Sequence, residues 1–77
     1  MREYRYTIIL QPEPDEGGYS VTVPALPGCV AQGETLEEAI TLAREAIALH
    51  VTGLVEEGEP VPDEPEPLQA LSVRVAA

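Results

Sequence analysis

Between Gly17 and Ala39 the chain is punctuated so closely that few folds remain open to it. Gly17 and Gly18 supply the positive φ angles that a tight hairpin turn requires. Tyr19, Val21 and Val23 then alternate with Ser20 and Thr22, the period-two pattern of a half-buried strand. Pro24-Ala25-Leu26-Pro27-Gly28 ends that strand in a connection, because proline withholds a ladder donor and glycine tolerates a left-handed backbone. Residues 29–33 read as the returning strand. In Thr35-Leu36-Glu37-Glu38 the Thr35 hydroxyl can accept one orphan helix N–H while Glu38 reaches back to another, so a helix starts at Leu36.

Upstream, Tyr4, Tyr6, Ile8 and Leu10 alternate with Arg5, Thr7, Ile9 and Gln11, which predicts a first strand over about residues 3–11 with its tyrosine face toward the helix. Pro12-Glu13-Pro14-Asp15-Glu16 is an acidic hairpin tip leading into a second strand at about 18–23. The helix is expected over about 36–57, with apolar rows Leu36, Ile40, Ala43, Ile47, Leu54 and Ala39, Leu42, Ala46, Leu49. Two rows make a broad stripe: either both are ordinary core, or Leu42 and Leu49 contact a second subunit. Gly58 stops the helix, and residues 59–67 form an acidic, proline-rich connector. Leu71, Val73 and Val75, alternating with Ser72 and Arg74, predict a last strand at about 70–76. The result is one α+β domain over 1–77, βββαβ in order. Antiparallel hairpins followed by a right-handed crossover give a mixed sheet ordered 3-2-1-4 with one helix packed on one face.

Gly-Gly-Tyr-x-Val-x-Val-Pro-x-Leu-Pro-Gly-Cys, then Gly-x-Thr-x-Glu-Glu-Ala, a helix and an acidic proline-rich run, resembles the N-terminal domain of HicB family antitoxins over nearly the whole chain. The resemblance implies a partial ribonuclease H-like fold. An acidic residue commonly precedes Leu-Pro-Gly-Cys in that family; here it is Ala25, so no role of that carboxylate carries over. Full antitoxins often continue into a DNA-binding domain. This chain is expected to end after its last strand, and operator binding is not carried over with the resemblance.

Composition narrows the function. A formal charge of −10, with fourteen acids against Arg2, Arg5, Arg44 and Arg74, leaves no basic stripe to neutralise phosphates. That argues against direct nucleic-acid contact and for a basic protein partner. At 77 residues the core is thin, which favours self-association as a dimer or tetramer. The single cysteine, Cys29, excludes an internal disulfide framework, and with no leader or long apolar run the reading is a cytoplasmic protein that does not enter membranes.

Chemistry is harder to find. A ribonuclease H-type centre needs carboxylates converging from strand ends, and residues 4–10 carry none. Glu37, Glu38, Glu45, Glu56 and Glu57 are spread around the helix as a solvated face. His50 and Cys29 lack any nucleophile or metal-ligand spacing and read as a partly buried helix residue and an inert strand residue. The glycines fit turns, not a phosphate-binding fingerprint. No cofactor, metal or catalytic activity is expected.

The resemblance implies a partner, a small basic HicA-like mRNA interferase, inhibited when the antitoxin covers its RNA-binding surface. Exposure and charge point to Asp15, Glu16 and Tyr19 at the first hairpin and to Glu34 and Glu37 at the helix start as toxin-binding residues. The alternative is an orphan, oligomeric, non-catalytic binding module with another protein or a small ligand as partner.

Overall fold

The computed structural model describes residues 3–77; Met1 and Arg2, included in the expected domain, lie outside the described residues. Strands β1 (Ile9–Pro12), β2 (Tyr19–Thr22) and β3 (Val30–Gly33) form an antiparallel meander, and helix α1 (Leu36–Glu56) follows. Ile9 faces Thr22 and Pro12 faces Tyr19 in the first ladder; Tyr19 faces Gly33 and Thr22 faces Val30 in the second.

The first ladder is shorter than the expected strand over 3–11, and the cause is on the opposite side. One step beyond the Ile9–Thr22 pair, Val23 turns its N–H to the Cys29 carbonyl (3.3 Å), and Pro24 has no N–H to offer. Residues 4–8 keep their inward alternation without a ladder: Tyr6 and Ile8 pack on the core, and the Tyr4 and Tyr6 rings stack with centroids 6.3 Å apart.

Helix α1 crosses β3 and β2, while Leu10 of β1 reaches the border of the cluster that the helix closes. Its 21 residues span about 31 Å, whereas four-residue strands reach about 13 Å. The helix therefore overhangs the sheet, and the core divides in two. Over the sheet, Ala39 and Ala43 let the helix close on Val21. Beyond it, Ala46, Ile47, Val51 and Leu54 cover Val23, Leu26 and Cys29 of the connection between β2 and β3. Leu26 plugs that connection, pinned by its N–H on the Val23 carbonyl (2.9 Å) and its carbonyl under the Cys29 N–H (3.0 Å). The broad stripe is thus only partly core: Leu42 is half-buried, and Leu49 is 76% exposed.

Helix α1 begins as a variant of the expected box. Thr35 Oγ1 accepts the Glu38 N–H (3.1 Å), but Glu38 Oε1 accepts the N–H of Glu34, one residue outside the cap (3.2 Å). At the far end Gly58 is left-handed (φ 71°), with its N–H on Val55 O (3.1 Å) and the Glu59 N–H on Leu54 O (2.9 Å), the pairing of a Schellman motif. Gly53 has open space where a Cβ would stand. Gly53→Ala is therefore expected to add about 1 kcal/mol of stability through helix propensity, read as a higher urea midpoint with an unchanged slope.

The connector is clasped to the first extended segment. Tyr6 Oη donates to the Pro62 carbonyl (2.7 Å), and Glu64 Oε2 accepts both the N–H and the hydroxyl of Thr7 (2.7 Å each). The Leu68 N–H donates to Thr7 Oγ1 (3.2 Å). After Leu68 the expected strand over 70–76 does not form: the chain stays exposed and joins no sheet, so the described sheet has three strands, not four in the order 3-2-1-4. A strand needs a backbone edge as well as an alternating pattern, and residues 69–77 are exposed along their whole length. The Cα radius of gyration, 14.6 Å, exceeds the value of about 11.5 Å for a compact chain of this length.

Candidate partner-binding surface

Two close approaches build this surface. A Cβ at Gly18 would stand 2.5 Å from the Gly33 carbonyl oxygen, and one at Gly33 would overlap the Ala39 backbone nitrogen. Only glycine at both positions lets the hairpin tip, the end of β3 and the first turn of α1 stack so tightly. The tip itself is closed by the Gly17 N–H on Glu13 O (2.7 Å) and the Glu13 N–H on Gly18 O (2.9 Å).

The stacking brings Glu16, Glu34 and Glu38 around one open concavity of about 330 Å³, floored by Gly17, Gln32 and Gly33. Asp15 is exposed beside it on the tip, and Glu37 is exposed in the same first turn of α1. The acids tolerate this crowding partly because the N-terminal end of a helix carries a partial positive charge. Tyr19 is placed differently: its ring packs against the Val21, Ala39 and Ala43 cluster and supports the surface from below. Exposure and charge alone do not single out Glu38. The capping box was its signal, since a side chain that reaches back over Glu34 is carried toward the hairpin.

Other sequence candidates are dispersed. His50 and Cys29 do line one shallow concavity with Val30 and Leu49, but burial pushes the Cys29 thiol upward, away from the reactive thiolate. Among the described residues no group of three or more His, Cys, Asp or Glu is placed to hold a metal ion. No helix among them is long and apolar enough to cross a membrane. Ala25 sits beside Asp63, Glu64 and Glu66 of the connector, where a carboxylate would add a like charge.

The family model described as a HicB-like antitoxin of bacterial toxin-antitoxin systems matches residues 6–76. The chain belongs to the HicB-like antitoxin family. It is 46% identical over 72 residues to a UPF0150 protein of Synechocystis, covering 94% of this chain and 90% of that relative. A UPF0150 protein of Thermoplasma acidophilum is 43% identical over 58 residues, 75% of this chain and 83% of the relative. Antitoxin HicB of Escherichia coli is 38% identical over 66 residues, 86% of this chain but only 46% of the relative. This member of the HicB-like family therefore spans most of the length of these two UPF0150 proteins and about half of the named antitoxin. Residues 70–76 lie inside the matched region.

Proposed function

We propose that this protein is the antitoxin of a toxin-antitoxin pair and that it binds and covers the RNA-cleaving surface of a small basic HicA-like mRNA interferase. The family match over residues 6–76 carries this reading. The physical case is complementarity: a surface built to attract RNA is cationic, and a chain of charge −10 competes for it. Inhibition is by occlusion, without catalysis, metal or cofactor and without direct nucleic-acid contact by this chain, in the cytoplasm. The hairpin tip with Asp15 and Glu16, and the helix start with Glu34, Glu37 and Glu38, form the contact, with Tyr19 holding the tip rigid. Self-association accompanies it, with Leu42 and Leu49 offered as one surface.

Asp15→Lys with Glu16→Lys is expected to weaken binding to the basic toxin about tenfold at low salt, mostly through a slower on-rate, and less at high salt. Surface plasmon resonance at two ionic strengths checks this, and an unchanged affinity at low salt would remove the tip from the interface. The length relationship favours a second reading, an orphan binding module, because the relatives matched over most of their length are not named antitoxins. Co-expression decides: rescue of growth from the toxin supports the antitoxin, and no rescue by a soluble, folded chain supports the orphan.

A further inference from the structure

We infer that residues 70–76 become a β-strand on a second copy of this chain, pairing with the edge of β1 that faces away from β2, so that two chains exchange their tails. The inference rests on the self-association proposed above and is independent of the toxin.

Three observations meet here. Leu71, Val73 and Val75 are 85%, 81% and 78% exposed, a period-two apolar row with nothing against it. Ser72 and Arg74 fall on its opposite face. Next, among the described residues β1 is an edge strand, hydrogen-bonded on the β2 side only. Beside it, between residues 4–8 and α1, lies a trench of two contiguous concavities of about 270 and 670 Å³ that share Tyr4, Arg44 and Ile47. Its walls include Ile8, Ala43 and Val51, apolar groups of the kind that a fourth strand's inward side chains would cover. Finally, the clasp at Thr7 and Leu68 fixes where the tail leaves the body, and residues 69–77 beyond it are exposed throughout and pair with no strand.

The occupant is a second copy because donor and acceptor are both present in one chain. Mutual exchange closes a two-fold dimer and leaves no free donor to propagate a fibre. Strand addition satisfies the edge of β1 and seats the apolar row in the trench in a single step, with Ser72 and Arg74 left facing solvent. The sheet of each body then reads 3-2-1-4, its fourth strand supplied by the partner.

The test is the mass of the full chain by light scattering, beside Ser72→Pro and Val73→Pro. Neighbouring residues in a strand present their N–H groups to opposite sides, so at least one of the two prolines deletes a ladder bond. The parent is expected at twice the 8.3 kDa of one chain. At least one proline variant is expected at half the parent's mass, with helical circular dichroism retained, because the substitution lies outside the packed body. A parent of one-chain mass overturns both the exchange and the self-association behind it. A multi-chain parent whose mass neither proline changes overturns the exchange alone and returns self-association to Leu42 and Leu49.

Discussion

Gly33→Ala is expected to cost about 3 kcal/mol, toward the upper end for inserting a methyl into packed structure, because what it meets is backbone. The added carbon would overlap the Ala39 nitrogen and crowd the Ala39 Cα and the Glu38 carbonyl carbon at the first turn of α1. A flexible side chain could swing aside; a helix turn held by Thr35 and Glu38 has to move as a body. Domains of this size rarely hold more than about 5 kcal/mol, so the variant sits near the edge of folding. Urea titration at fixed protein concentration measures the loss, and a stability within about 0.5 kcal/mol of the parent's would show that the stack relaxes cheaply. The same displacement separates Glu34 and Glu38 from Glu16, so toxin affinity is expected to fall with stability in this variant.

Leu26→Ala is expected to cost about 3 to 4 kcal/mol, within the range for deleting a fully buried leucine whose cavity cannot collapse. Leu26 is 0% exposed, and it is held among Val23, Cys29 and the overhanging half of α1. Both of its backbone groups are bonded within the connection, so the loop cannot sink to fill the space. Thermal unfolding reads the effect as a fall of more than 10 °C. A change of only a few degrees would mean that the overhanging half of the helix contributes little to the body.

These two positions also mark what the amino-acid pattern could and could not disclose. Turns and caps are local, so Gly17, Gly18, Gly28 and Gly58 all take the positive φ that their neighbours imply, and Thr35 caps the helix as its spacing implies. Pairing is not local. Alternation from Tyr4 to Leu10 correctly describes which side chains turn inward, yet the ladder begins only at Ile9 because Pro24, the next residue of the facing strand turned toward β1, has no N–H, a fact about the facing strand. Leu71, Val73 and Val75 have the pattern of a strand for the same reason, without naming the edge that receives them. Helical periodicity predicted a stripe but not its centre: the seam falls on Ala39 and Ala43, whose small size sets the closest approach, and Leu49 is left outside. At the acidic surface, charge alone could not rank Glu37 against Glu38, because both belong to one turn and only the bond to Glu34 aims one of them at the hairpin. Glu64 was equally hidden, one acid in an acidic run until Thr7 singles it out.

The clasp between that glutamate and Thr7 has a kinetic consequence. Meander and helix assemble from neighbours in sequence, whereas the clasp joins residues 57 positions apart. Closing so long a loop from a disordered chain costs about 2 kcal/mol more than closing a six-residue hairpin. Once the body has formed, that entropy has already been spent. The clasp is thus expected to close last during folding and to open first during unfolding.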